Sequence, residues 1–356
     1  MVGQAARFSR WWVEQRRRLY WRALPLLLRA PPALSRRLVR PSSLYCKLTL
    51  RCNSRCRHCD IWQREHDVGE ELSTDEWKDV FRSLRAWLGP VDICLTGGEV
   101  LLRRDALELL EFTVGLGFRT QFLTNAYVLT DEVAEKIIAA GPDTVAVSLD
   151  ATTPELCDQL RGKEGFFDHA TTGISSLVRH HGRLNSRCQL IVKSVIMEPN
   201  LDELIGVVDW IEEVGTAKVF FQPITQNYGQ EMRQGWYNEP ELNALWIKDT
   251  SRVLRVVDEL IERVAAGGPI ANTKSGLEQI KAYFSDPAKW SRNEAFQLGA
   301  YSDTYCPAGL SGLEFDPNGD VRTCPMCEPV GNVRDDSVRR IWRSRPACWK
   351  KPCPYW

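Results

Sequence analysis

Three cysteines within eight residues hold the densest chemistry of this chain. Cys52, Cys56 and Cys59 stand in the stretch Arg51-Cys52-Asn53-Ser54-Arg55-Cys56-Arg57-His58-Cys59-Asp60, a C-x3-C-x2-C triplet. Thiolates select soft centres, so the spacing points to zinc, copper(I) or iron–sulfur. A four-iron cube is normally held by four cysteines. Three would leave one iron open to a ligand, as a catalytic zinc site keeps one position open. A disulfide would strand an odd thiol, and residues this close in sequence bridge only with strain. Structural zinc would need a fourth ligand, and His58, between two of the cysteines, has a side chain expected to point away. The open cluster is the leading reading; structural zinc and inert thiols are the alternatives.

The elements that must position this loop can be read from the hydrophobic pattern. Cys46, Leu48 and Leu50 alternate with Tyr45, Lys47, Thr49 and Arg51, the period of a strand with one buried face, immediately before the triplet. Further strands are expected near 92–96, 119–124, 144–149, 188–196 and 217–222, with helices near 73–88, 105–116, 130–140, 166–181 and 201–214. Six strand–helix units with short connections imply a parallel sheet with right-handed crossovers, curling into a partial barrel. The expected fold class is therefore α/β, a partial (β/α)6 TIM-like barrel with a small C-terminal cysteine-rich α+β cap. Functional groups of such folds gather at the C-terminal ends of the strands.

The strand ends carry unusual residues. Strand two ends in Thr96-Gly97-Gly98-Glu99, where paired glycines allow close backbone approach and carbonyls beside Glu99 can accept from an ammonium group. Strand three ends in Thr124-Asn125-Ala126 and strand four in Ser148-Leu149-Asp150, with Ser148 and Asp150 on one side of the strand. Asp158 and Arg161-Gly162 follow; arginine suits bidentate recognition of a carboxylate, and a surface ion pair is the plainer reading of Arg161. Lys193 interrupts the apolar run of strand five, facing either the lumen or the other sheet face, and Gln222-Pro223-Ile224 closes strand six.

Together these stretches resemble the radical S-adenosylmethionine (SAM) superfamily from about Tyr45 to the C-terminus. The triplet resembles its cluster-binding signature. Thr96-Gly97-Gly98-Glu99 resembles its Gly-Gly-Glu element, with Val100 where a proline is usual; Ser148-Leu149-Asp150 and Asp158-x-x-Arg161-Gly162 resemble two more of its elements. The resemblance implies a [4Fe–4S] cluster on Cys52, Cys56 and Cys59, with SAM bound at the open iron through its amino and carboxylate groups. It implies reductive cleavage to a 5′-deoxyadenosyl radical that takes a hydrogen atom from substrate, with oxidoreductase chemistry and an electron donor such as flavodoxin or ferredoxin. Cofactor contacts are expected from His58, Gly97, Gly98, Glu99, Asn125, Ser148, Asp150, Arg161, Lys193 and Gln222. Arg161 would pair with the SAM carboxylate, and Gln222 would line the adenine pocket.

A second cysteine cluster closes the chain. Cys306-x12-Gly319-x4-Cys324 encloses Asp316-Pro317-Asn318-Gly319-Asp320, a hairpin turn signal, and Cys327, Cys348 and Cys353 follow. With Gly331-Asn332-Val333 and Ile341-Trp342, the pattern is similar to SPASM/twitch extensions, which hold auxiliary [4Fe–4S] clusters. Five cysteines suit one auxiliary cluster: Cys306 and Cys324 are the firmest ligands, and Cys327, Cys348 and Cys353 supply the others. A zinc ribbon is the alternative. The expected organisation is a basic segment at 1–40, the core barrel at 41–235, a helical cover at 236–300 and the auxiliary domain at 301–356.

Bulk composition sets outer limits. The 356 residues are 44% hydrophobic and 26% charged, with a formal net charge of zero, so no whole-protein field favours nucleic acid. Cys46, Cys94, Cys157 and Cys188 fall singly in strand or helix patterns as small core residues, and the absence of a secretory signal fits a reducing, cytoplasmic setting. Residues 1–40 hold ten arginines, no lysine and one acid, Glu14. Phe8, Trp12, Leu19, Ala23, Leu26 and Leu27 recur at helical spacing among the arginines, a pattern that can lie in the headgroup region of an anionic membrane on the inner face. A helix packed on the barrel or a partner-binding arm are the alternatives. The substrate is expected to be a small molecule, sugar or lipid. A peptide-modifying maturase is the competing enzymatic reading, and an iron–sulfur or zinc scaffold the non-enzymatic one.

Overall fold

The computed structural model describes residues 30–65, 67–226, 235–286, 311–324 and 327–346, with isolated positions between 15 and 26. Cys306, Cys348 and Cys353 lie outside the described residues, as do Phe8, Trp12 and Leu27. The first described helix, α1 (Pro32–Leu38), starts with proline at its first turn, where no amide donor is lost. It leads directly into β1 (Ser43–Thr49), whose Leu44, Cys46 and Leu48 are buried in the core while Tyr45 and Lys47 take the opposite face.

Five further strands follow in parallel: β2 (Asp92–Gly97), β3 (Arg119–Thr124), β4 (Thr144–Ser148), β5 (Gln189–Ile196) and β6 (Lys218–Pro223). Their crossovers carry α2 (Thr74–Leu88), α3 (Ala106–Gly115), α4 (Asp131–Ala140), α5 (Pro154–Arg161), α6 (Phe166–Arg183) and α7 (Leu204–Val214). Helix α2 shows the common logic. A Ser73/Glu76 capping box starts it, and Trp77, Val80, Phe81, Leu84 and Leu88 bury one face at helical spacing. Five of the six crossover helices match the pattern-based expectation. Helix α5 was not among the expected helices: at eight residues it is too short for a clear period, though Pro154 at its start and Gly162 at its end are helix signals.

The sheet does not close. Its order is β6-β5-β4-β3-β2-β1-β7-β8-β9, and the last three strands come from the C-terminal cysteine region. β7 (Gly312–Phe315) pairs in parallel with β1, from Ser43 opposite Gly312 to Cys46 opposite Phe315. β8 (Asp320–Arg322) and β9 (Gly331–Asn332) then run antiparallel, with the expected turn between β7 and β8. The C-terminal region, expected as a small α+β cap, is thus continuous with the barrel sheet. A buried charge cluster seals the seam: Lys47 Nζ lies 3.1 Å from Glu314 and 3.0 Å from Asp316, which also pairs with Arg322 at 2.7 Å.

At the other edge, β6 is covered by the link between α8 (Thr250–Ala265) and α9 (Lys274–Ser285). Val219 N donates to Pro269 O, Ala271 N donates to Val219 O, and Asn272 bonds both backbone groups of Phe221. The last described helix, α10 (Val338–Ser344), packs against α1 and α2. Trp342 Nε1 donates to Val39 O at 2.8 Å, and Val39 is buried. Residues 32–39 therefore belong to the folded body, which begins before β1. Among the described residues, no helix is long and apolar enough to cross a membrane.

Candidate active site

The cysteine loop leaves the C-terminal end of β1 and is clamped from three sides. On the first side, Gly98 N donates to Thr49 O and Glu99 N to Arg51 O, both at 2.8 Å. A Cβ on Gly97 would stand 2.2 Å from Thr49 O, and one on Gly98 would stand 2.3 Å from Arg51 O. The paired glycines therefore let two protein backbones meet. On the second side, Arg55 N donates to Arg161 O at 2.9 Å and Arg57 N to Leu160 O at 3.0 Å. These are carbonyls of the last turn of α5, which a helix end leaves unpaired. Gly162, with φ of +58°, turns the chain there, and its missing Cβ leaves room for Arg55 O.

Glu99 supplies the third clamp. It is fully buried, and burial pushes its carboxyl above the usual range against the hydrogen bonds it accepts. One oxygen accepts from Thr124 Oγ1 at 2.7 Å and Leu101 N at 3.0 Å; the other accepts from Asn125 N at 2.6 Å. Asn125, so placed, donates from Nδ2 to Asn53 Oδ1 at 2.7 Å and Ser54 Oγ at 3.3 Å, and lies 3.9 Å from Cys52 Sγ. The Glu99 side chain thus has both oxygens committed to protein donors and does not line the cavity.

Beneath the loop, Asp150 and Arg161 form a buried pair at 2.7 Å. Asp150 also accepts from Val195 N at 2.8 Å, and Arg161 Nη1 lies 3.9 Å from Cys56 Sγ. The surface-pair reading of Arg161 is therefore corrected: α5 carries it inward. The expected shared access of Ser148 and Asp150 is corrected too, since Ser148 lines the cavity and Asp150 is withdrawn behind Arg161. Asp158 accepts from Gly165 N and Phe167 N, fixing the turn into α6.

One cavity gathers most of the expected residues. Cys52, Cys56, Cys59 and His58 line it from the loop, Gly97, Gly98 and Asn125 from the ends of β2 and β3, and Ser148, Arg161 and Lys193 from the far side. Lys193 lies opposite Ser148 in register, and desolvation pulls its ammonium below the usual range. No carboxylate pairs with it among the described residues; Asp150 is paired with Arg161, and Glu314 and Asp316 with Lys47. Gln222 stands opposite Val195 and is not among the lining residues. Trp62, not singled out in the sequence, also lines the cavity, and its indole N–H donates to Cys56 O at 3.3 Å. Only a distance of a few residues from the triplet could have flagged it.

The donor set fits a cluster and a polar cofactor. Burial pushes the thiols of Cys52 and Cys56 up, and that of Cys59 to about 12, so a bound soft metal would have to hold them as thiolates. Among the described residues, no three acidic, thiol or imidazole groups are gathered as for a single ion. Three thiols lining one cavity match the three-cysteine set expected for a cube with one open iron. His58 Nδ1 and Arg161 Nε, both on lining residues, are buried without a protein partner, as is Asn53 Nδ2 beside Cys52. Desolvation lowers His58 to about 4, leaving its ring neutral near neutral pH. At the second cluster, Cys324 is buried and the Cys327 amide donates to its carbonyl at 3.1 Å.

Comparison with known proteins matches residues 46–192 to the radical SAM superfamily and residues 306–351 to an iron–sulfur cluster-binding domain of the SPASM type. Cys353 lies outside the second match. The chain is 31% identical to the AdoMet-dependent heme synthase of Methanosarcina barkeri, over 85% of this chain and 82% of that protein. It is 25% identical to the PqqA peptide cyclase of Rhizobium meliloti, over 86% of this chain and 74% of that one. Among solved structures, Streptococcus suis SuiB bound to S-adenosylmethionine shares the fold with a TM-score of 0.65 at 15% identity, covering 87% of this chain and 67% of its own. AnSMEcpe with bound AdoMet shares it at 0.59 and 17% identity, covering 85% and 80%.

Proposed function

We propose, from the premise that this chain belongs to the radical SAM superfamily and carries a C-terminal SPASM domain, that the cavity beneath the cysteine loop is where SAM and substrate meet. Membership brings a SAM-binding [4Fe–4S] cluster and an iron–sulfur SPASM site. When bound, these groups supply an electron and a 5′-deoxyadenosyl radical able to take a hydrogen atom from substrate. Cys52, Cys56 and Cys59 would hold the cluster, leaving one iron for SAM. The backbone at Gly97 and Gly98 would receive the methionyl ammonium, and Arg161, through its unpartnered Nε, the carboxylate. Ser148 and Asn125 would offer polar atoms to the ribose, and His58 and Lys193 would close the cavity. Cys306, Cys324 and one or two of Cys327, Cys348 and Cys353 would hold the auxiliary cluster.

The observation that carries this reading is the convergence of three thiols, the glycine pair, Ser148 and Arg161 on one cavity. A scaffold protein would need the thiols alone. Anaerobically reconstituted, dithionite-reduced protein should form 5′-deoxyadenosine and methionine from SAM; failure with a fully loaded cluster would sink the enzymatic reading.

The substrate we favour is a small or lipid-like molecule bearing an anionic group, because Lys193 lines the cavity with no carboxylate partner among the described residues, and an anion bound there would offset the desolvation that disfavours its charged form. A peptide is the second reading, favoured by the similarity to a peptide cyclase over most of the chain. Contact of the N-terminal segment with an anionic membrane is part of the same proposal. It is supported by Leu19, Leu26, Leu34 and Leu38, four of the large apolar side chains exposed on the described surface, in a segment of ten arginines and one acid.

A further inference from the structure

The three thiols of the loop do not stand in equal fields. Cys56 has a cation beside it: Arg161 Nη1 is 3.9 Å from its sulfur, within hydrogen-bond range for so large an acceptor. Cys52 has the neutral amide of Asn125 at the same distance, whose hydrogens already face oxygens at 2.7 and 3.3 Å. It also has a backbone donor at Ser54 and the charge of Arg55, an exposed side chain whose Nη1 is spent on the Cys52 and Ser54 carbonyls. No side-chain donor reaches Cys59 among the described residues.

The guanidinium is held in this pose from every side. Asp150, fully buried, pairs with Nη2, and is itself fixed by Val195 N and by Asn200, which donates to its carbonyl at 2.6 Å. The Phe166 ring lies 5.3 Å from the guanidinium carbon. Arg161 is 5% exposed, so water does little to screen its charge. A cation fixed in low dielectric beside a sulfur ligand favours whichever state of the ligand set carries more negative charge.

Reduction adds one electron to an iron–sulfur centre, and its potential follows net charge and hydrogen bonds to the sulfurs. We infer that Arg161 is a positioning residue for Cys56 that eases one-electron reduction of the SAM-binding cluster, with Asp150 setting how much of its positive charge the sulfur feels. The electron comes from an external one-electron donor of the flavodoxin or ferredoxin class, and no proton or bond need change at Arg161. The inference rests on the cluster assignment proposed above, and adds a role distinct from any contact with SAM.

The test is an EPR-monitored redox titration of the reconstituted full-length protein without SAM, comparing wild type with Arg161→Gln, Arg161→Lys and Asp150→Asn. To isolate the SAM-binding cluster, the signal that responds to later SAM addition is followed. Arg161→Gln should shift its midpoint to more negative potential, and Arg161→Lys should recover part of the shift. Asp150→Asn, whose amide oxygen can still accept from Val195 N, should move it the other way. An unchanged midpoint in Asp150→Asn would overturn the inference even if Arg161→Gln fails to fold. So would weakened SAM binding in Arg161→Gln with no change in midpoint. A wild type that takes up no cluster at Cys52, Cys56 and Cys59 would instead defeat the cofactor assignment beneath it.

Discussion

At the scale of single residues, Glu99 and Arg161 show how far a motif can be read. Both stand out in the sequence as charged residues at a strand or helix end, and the structure buries both, Arg161 lining the cavity and Glu99 turned away from it. Their partners were not legible, because those come from other strands. Glu99 accepts three hydrogen bonds inside the protein, from donors near positions 101, 124 and 125. Glu99→Gln therefore turns one acceptor into a donor facing Asn125 N or Thr124 Oγ1. A buried donor left without a partner costs roughly 1–3 kcal/mol. Chemical denaturation of the reconstituted protein should show a loss of that size, whereas stability equal to wild type would mean the carboxylate is not committed to the protein. For Arg161 the motif implies a cofactor carboxylate and a surface ion pair is the plainer alternative, and the eight residues of α5 are too few for helical period to choose between them. Only the fold turned it inward onto Asp150.

At the scale of elements, the six barrel strands were legible as short alternating or continuous apolar runs separated by helical patterns. The observed strands begin and end within a residue or two of expectation. What pattern could not supply was contact between elements: the docking of the cysteine loop on α5, or the parallel pairing of β7 with β1. The first gives a direct prediction. Gly162 has a left-handed φ, where other residues lose roughly 1–3 kcal/mol, and a Cβ there would stand 2.3 Å from Arg55 O. Gly162→Ala should push the loop off the end of α5. Iron bound per chain after reconstitution should fall while the circular-dichroism spectrum stays close to wild type. Full iron content in this variant would mean the loop is held elsewhere.

At the scale of the whole molecule, the division into barrel and cap was only partly legible. The C-terminal cysteines marked a second iron–sulfur region, and its family match agrees. That β7 would join the barrel sheet, with Lys47 neutralised by Glu314 and Asp316, depends on pairing across more than 250 residues of chain, which no local pattern encodes. The N-terminal boundary shifts for a similar reason: Val39 is capped by Trp342 from the last described helix. Deletion of residues 1–40 should therefore unsettle the fold, while deletion of 1–30 should leave it intact. If the basic segment lies on membrane, the shorter deletion should weaken sedimentation with anionic vesicles at low salt, each arginine near the surface contributing about 1 kcal/mol. Full-length protein that ignores such vesicles would remove the membrane contact from the proposal.

The central claim is that Cys52, Cys56 and Cys59 hold a four-iron cluster at the mouth of the cavity. Iron per chain after anaerobic reconstitution tests it most directly, in wild type and in a triple Cys52→Ala, Cys56→Ala, Cys59→Ala variant. The variant should lose about four irons, the content of one cube, and keep those of the SPASM region. An iron content equal to wild type in a folded triple variant would contradict the account.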